Sequence, residues 1–186
     1  MPNPKTRAIM NIKHIPINAF IILILNRLKK KRTDMSRKKP PNLIDFAHFW
    51  QTGTRWDDND IYGHLNNTVH YKLFDSAVNS FLLDHNLLDF RNGESVYLVV
   101  ETACSYFAEL AYPDKLDVVL RITRLGTSSL TNETGLFREG ETQAAAAGHF
   151  VHVLVDKASR KPVPSDEVGR AAFQRIMAGG KSCIFS

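Results

Sequence analysis

Cysteine is nearly absent from this chain: among 186 residues only Cys104 and Cys183 occur. Two thiols cannot build a disulfide-stapled scaffold, and their scarcity fits a reducing compartment. Long apolar runs are missing too. The most apolar stretch, Ile15 to Leu25, spans about eleven residues, roughly 16 Å of helix against the about 30 Å of a bilayer core. It is too short to cross a membrane comfortably. There is no Gly-x-Ser-x-Gly elbow and no glycine-rich phosphate loop, which removes the common serine hydrolases and nucleotide-binding enzymes. Internal repeats are absent.

Acidic residues are missing from the first 33 positions, and this accounts for the net charge of +5. Lys5, Arg7, Lys13, Arg27, Lys29, Lys30, Lys31, Arg32, Arg37, Lys38 and Lys39 face Asp34 alone, so the rest of the chain has 13 basic and 18 acidic residues and a charge of −5. The basic balance belongs to the N-terminus, and the body has no charge argument for binding nucleic acid. We read residues 1–40 as a basic, partly apolar extension outside the fold, 41–178 as one folded domain and 179–186 as a tail. After the apolar run comes Asn26-Arg27-Leu28-Lys29-Lys30-Lys31-Arg32, where a secretory signal would need small residues for cleavage. Three readings of the extension stand: a mitochondrial-type presequence, a weak membrane-surface anchor, or sequence upstream of a start at Met35. The expected location is cytoplasmic, or mitochondrial if the extension is a presequence.

Periodicity orders the body. Phe46 to Arg55, rich in aromatics and threonine, predicts a first strand. Beyond Asn66-Asn67, Val69, Leu73, Ala77 and Phe81, flanked by Phe74, Val78 and Leu82, predict a long helix ending near Asn86 with one wide apolar face. From Ser95 the period changes to two. Strands are predicted from Val96 through Phe107, over Leu116 to Thr123 with one wet face, over Leu130 to Arg138 and over Gln143 to Val155. Gly126 and Glu139-Gly140-Glu141 mark turns. The run of four alanines with Gly148 predicts a place where something bulky packs closely. Asp166-Glu167 followed by Ala171, Ala172, Phe173 and Ile176 predicts a short capped helix. One long helix followed by several antiparallel strands is an α+β arrangement, with the sheet covering the helix.

The chemistry lies in Arg55-Trp56-Asp57-Asp58-Asn59-Asp60-Ile61-Tyr62-Gly63-His64-Leu65-Asn66-Asn67, an acidic loop directly before the long helix. Acyl transfer needs a group to activate water or attack a carbonyl, and donors for the oxyanion that forms. Asn66 or Asn67 is a favoured N-cap, and the first amides of the helix have no partner inside it. The positive helix end favours negative charge there. Taken alone, an Asp in such a loop is usually a turn or capping residue, and Asp57 and Asp58 keep that reading. A calcium loop starting at Asp58 is excluded, because its fifth and twelfth positions are Tyr62 and Val69. His149 and His152, three apart on a strand, face opposite ways and cannot share a metal. No metal and no cofactor are expected.

This loop closely resembles the signature of the hotdog-fold acyl-CoA thioesterases of the 4-hydroxybenzoyl-CoA thioesterase type, aromatic-x-Asp-x-Asp-x-x-Gly-His-x-Asn-Asn. The likeness runs from about Thr52 to Ile176, with softer matches at Tyr112-Pro113-Asp114, Arg124-Leu125-Gly126-Thr127-Ser128-Ser129 and Lys161-Pro162-Val163-Pro164. It departs at Pro113, where many relatives carry Gly, which we read as a turn variant. The resemblance implies a hotdog fold, an antiparallel sheet wrapped around one long central helix, and hydrolysis of an acyl-CoA, or of an acyl carrier protein thioester. It puts the catalytic carboxylate at Asp60, as nucleophile or general base, and the oxyanion amide at Asn67. His64 either binds the reacting water or holds the loop. It also implies a homodimer or homotetramer with joined sheets, and CoA phosphates met by some of Arg121, Arg124, Arg138, Lys157, Arg160 and Lys161. Two other readings are carried. A hydratase of the same fold places His five residues after Asp, whereas Asp60 and His64 are four apart; a non-catalytic acyl-CoA or acyl-carrier binding module would use the same pocket without turnover.

Overall fold

The protein is described by a computed structural model covering residues 38–177. Nearly all of the expected extension, and the expected C-terminal tail with Cys183, lie outside the described residues. The elements are β1 (His48–Gly53), α1 (Asn67–Asp84), β2 (Ser95–Tyr106), β3 (Lys115–Leu125), β4 (Ser129–Arg138), β5 (Ala146–Asp156) and α2 (Glu167–Arg175). The five strands form one antiparallel sheet in the order β1-β3-β4-β5-β2. Among the described residues, no helix is long and apolar enough to cross a membrane.

Period-two patterning sets the inner face of the sheet. Leu116, Val118, Leu120 and Ile122 of β3 all turn inward and are at most 1% exposed. Onto them α1 lays Val69, Phe74, Ala77, Val78, Phe81 and Leu82, the stripe predicted by steps of three and four. The helix has 18 residues, so roughly 27 Å of it crosses the sheet. It ends at His85, followed by Asn86 in the left-handed region, φ 55°. The close packing predicted near the alanine run is Phe74 against Gly148. A Cβ at Gly148 would stand 2.9 Å from both the Phe74 ring and the Ala103 carbonyl oxygen, so only glycine fits there.

The predicted short capped helix is present as α2, so among the described residues the sheet carries two helices and not a single one; two expectations about the strands need correction. α2, capped by Asp166 Oδ1 accepting from Gly169 N at 2.7 Å, buries Ala172 and Phe173 beside Phe81, Leu82 and Leu130. The short helix closes the end of the core that α1 alone leaves open. The second face of β3 is not wholly wet: Val119 is fully buried with Phe46, Phe137 and Ala144. The segment before β1 covers it, tied down by Leu43 N to Thr142 O (2.9 Å) and Ala144 N to Pro41 O (3.0 Å). Finally, β5 begins at Ala146 and not Gln143, because Gln143 pairs with Asn42 and the Ala145 carbonyl accepts from Phe107 and Ala108.

A buried polar side-chain pair lies on the inner face. Asn132 Nδ2 donates to His152 Nδ1 at 3.1 Å, and the two residues are 0% and 4% exposed. Burial pushes the His152 imidazole down to about 4 from its ordinary 6.5, since desolvation penalises the charged ring. Between those values the unfolded chain binds more protons than the folded one. Stability therefore falls as pH is lowered from about 6.5 towards 4 and levels off below. The full shift corresponds to about 3 kcal/mol. His48 and His70, both lowered chiefly by burial, act in the same direction. Urea midpoints measured from pH 7 to 4 are expected to lose part of their slope in His152→Gln; an unchanged slope would mean that the ring is not held neutral.

Candidate active site

The loop between β1 and α1 folds on its own carboxylates. Arg55 N donates to Asp58 Oδ2 at 2.7 Å and Asp58 N to Arg55 O at 3.1 Å, winding Trp56–Asp58 into one 3-10 turn. Asn66 N then donates to Asp58 O at 2.9 Å, so the loop returns to the head of α1. Asp58 thus supports the backbone, as read from the sequence, and Asp57 is exposed. A second turn closes inside the first. Asp60 N donates to His64 O (2.8 Å) and Gly63 N to Asp60 O (3.1 Å), with Gly63 at φ +83°. Only glycine adopts that conformation without strain.

Asp60 is half-buried, and its two oxygens have different duties. Oδ1 accepts from Tyr62 N at 2.8 Å and His64 N at 3.3 Å. Among the described residues nothing donates to Oδ2. One oxygen fixes the turn while the other keeps its lone pairs, which is the state a general base or nucleophile requires.

The helix start is equally asymmetric. Asn66 is the cap: its Oδ1 accepts from Thr68 N at 2.9 Å and Thr68 Oγ1 at 2.8 Å, and its carbonyl accepts from Val69 N at 2.9 Å. Asn67 is the first helical residue, and none of the described residues accepts from its amide. The unpaired N–H lies at the positive end of α1, where negative charge is favoured.

His64 is placed differently from the other two. Its backbone meets Asp60, but its ring turns away, with Nε2 3.2 Å from Glu109 Oε2. Both side chains are well exposed. Sequence reasoning missed Glu109, because it reaches the loop only when the connection between β2 and β3 folds back. It also missed His70, which is 4% exposed, has Nδ1 3.1 Å from the Asn66 carbonyl and packs edge-on to Tyr106 at 5.0 Å. Its place on the helical stripe makes it look like an ordinary core position. Three of the cations suggested for CoA phosphates are already engaged: Arg121 by Glu133 and the Asp45 carbonyl, Arg138 by Asp114 and the Glu109 carbonyl, and Lys157 by the Asp89 and Phe90 carbonyls.

Among the described residues no three His, Cys, Asp or Glu side chains converge as metal ligands. His149 points outward to Glu101 at 3.1 Å, and His152 inward to Asn132, the opposite facing read from their spacing.

The sequence pattern of the thioesterase-like superfamily matches residues 54–173, from the strand end before this loop to the buried face of α2. The chain belongs to that superfamily. It is 43% identical to the PA5185 protein of Pseudomonas aeruginosa, whose crystal structure superposes with a TM-score of 0.73 over 76% of this chain and 99% of that one. The PA2801 protein of the same organism is 28% identical, with a TM-score of 0.64 over 68% and 98% of the two chains. The YsmA protein of Bacillus subtilis is 28% identical over 119 residues, 63% of this chain and 79% of YsmA. The five-stranded antiparallel sheet packed on α1 is consistent with the hotdog fold of the superfamily.

The cap can be tested without reference to chemistry. Asn66→Ala removes the acceptor for Thr68 N and is expected to cost about 1 kcal/mol in denaturant unfolding, whereas Asn66→Ser keeps most of it. Equal stability of the two variants would show that the Asn66 side chain does not cap α1.

Proposed function

We propose that the protein is an acyl-CoA thioesterase, hydrolysing a thioester to a carboxylic acid and free CoA. One observation carries this reading beyond superfamily membership: a carboxylate with one free oxygen, Asp60, stands in the turn that leads straight to the unpaired first amide of α1 at Asn67. A base and an oxyanion donor are the two parts that thioester hydrolysis needs.

In this mechanism Asp60 Oδ2 takes a proton from water as the water oxygen attacks the thioester carbonyl. Negative charge collects on the former carbonyl oxygen, where the Asn67 N–H and the positive end of α1 stabilise it. The C–S bond then breaks, the acid leaves, and the proton held by Asp60 returns to the CoA thiolate. If Asp60 instead attacks directly, an acyl-enzyme anhydride forms and water hydrolyses it; the same amide serves both routes. His64, linked to Glu109, holds the loop on the far side of the turn. Arg124, Arg160 and Lys161 remain as candidates to meet the CoA phosphates.

The edge of the sheet supports an assembly of two or four copies. Among the described residues β2 pairs only with β5, and it exposes Val99 and Val100 at 45% and 61%. An apolar open edge of this kind invites pairing with another strand. A mass measurement by light scattering is expected to give a dimer or tetramer, and an active monomer would remove this part of the reading.

The decisive experiment follows free-thiol release from short, medium, long and aromatic acyl-CoAs. Asp60→Asn is expected to lower kcat about 10²- to 10⁴-fold. Asn67→Pro deletes the amide hydrogen at a position where proline suits a helix, and Asn66 at φ −58° and ψ 140° already has the backbone a following proline needs. That variant is expected to keep its fold and lose about 10²- to 10³-fold in kcat. Binding of acyl-CoA without turnover by the unaltered protein would instead favour a binding module.

A further inference from the structure

The loop that carries Asp60 is held from outside by one short segment. Among the described residues, every hydrogen bond and ion pair that leaves the loop between Thr54 and Leu65, apart from the return to Asn66, ends on Glu109 to Asp114. Thr54 N donates to Asp114 O at 2.9 Å and Thr54 Oγ1 to Ala111 O at 3.2 Å. Asn59 Oδ1 accepts from Tyr112 N at 3.0 Å, and Leu65 N donates to Leu110 O at 2.6 Å. The Trp56 ring rests edge-on against Tyr112 at 5.8 Å.

That segment has its own anchor. Asp114 Oδ2 accepts from Ala111 N at 3.0 Å, folding the segment into a turn, and Leu110 is 2% exposed in the core. Arg138, at the end of β4, reaches both ends of it. Its Nε lies 3.1 Å from Asp114 Oδ1, its Nη2 donates to Asp114 Oδ2 at 3.1 Å, and the same Nη2 donates to the Glu109 carbonyl at 2.8 Å. Burial alone would raise the Asp114 carboxyl, but the hydrogen bonds from Arg138 and the Ala111 amide outweigh it and hold the carboxyl below its ordinary value. A planar guanidinium meets a carboxylate with two parallel donors and still has N–H for a carbonyl; a lysine ammonium cannot reproduce that fork.

We infer that Arg138 and Asp114 are a positioning pair for the proposed reaction, setting where Asp60 stands relative to the Asn67 amide by fixing the segment on which its loop hangs. The inference rests on the thioesterase reading, in which Asp60 and the Asn67 amide must keep a fixed separation. Neither residue touches substrate in this account. A displacement of about 1 Å in such a site costs up to about 100-fold in rate.

The test compares the full-length protein with Arg138→Met and Arg138→Lys by two measurements. In acyl-CoA hydrolysis, Arg138→Met is expected to lower kcat about 10- to 100-fold with KM nearly unchanged, and Arg138→Lys to recover only part of the loss. In hydrogen exchange followed by mass spectrometry, amides of residues 58–66 are expected to exchange faster in Arg138→Met, while those in the middle of α1 and in β4 and β5 keep their protection. Unchanged exchange in 58–66 overturns the inference. So does a loss of protection spread evenly over α1 and the sheet, which would make Arg138 a general contributor to stability, and so does full rescue by lysine. If the unaltered protein hydrolyses no thioester, the functional reading fails while the exchange measurement still decides whether the pair holds the loop.

Discussion

The seating of α1 on the inner face of the sheet is the contact on which everything else depends, and where Phe74 meets Gly148 it leaves no room for a Cβ. Burying a phenylalanine side chain contributes about 1.5–3 kcal/mol, and here it also fixes position, because the ring occupies the space a Cβ would fill. Leu65 and Val69 lie in the same apolar cluster as Phe74, so anchoring the middle of the helix also places its first turn. The Asn67 amide is therefore held by the core and not by the loop.

A second constraint acts on the carboxylate. The loop from Thr54 to Leu65 is too polar to be held by apolar burial: apart from Leu65, none of its residues is buried. Its shape comes from hydrogen bonds, internally through Asp58 and Asp60 and externally through the segment that Arg138 braces. Core packing thus places one half of the candidate site and directed polar contacts place the other. The two meet because Asn66 both caps the helix and closes the loop, through its side chain and its amide respectively.

Where periodicity was strong, the elements could be read directly. The stripe from Val69 to Leu82, the alternation along β3 and the Asp166 cap reappear as expected. The failures have one physical origin. Val119 sits at a position that alternation assigns to water, yet a segment 73 residues earlier, at Phe46, covers it. Gln143 has strand-like neighbours but pairs with Asn42 outside the sheet. Arg121 and Arg138 resemble free surface cations, and each is bound to a carboxylate that no local pattern links to it. Glu109 was missed for the same reason, since it meets His64 only by chain reversal.

The sequence by itself determined the local quantities: the order of strands and helices, a cap at Asn66 or Asn67 and the run of residues that puts Asp60, His64 and Asn67 in one loop and helix start. These depend on backbone preference and on patterns only a few residues long. Tertiary structure alone decided that the His64 ring turns to Glu109 and that the whole loop hangs from Glu109 to Asp114 under Arg138. Those outcomes depend on contacts between residues dozens of positions apart, and the sheet register and the packing of α1 bring such residues together only when the chain is folded.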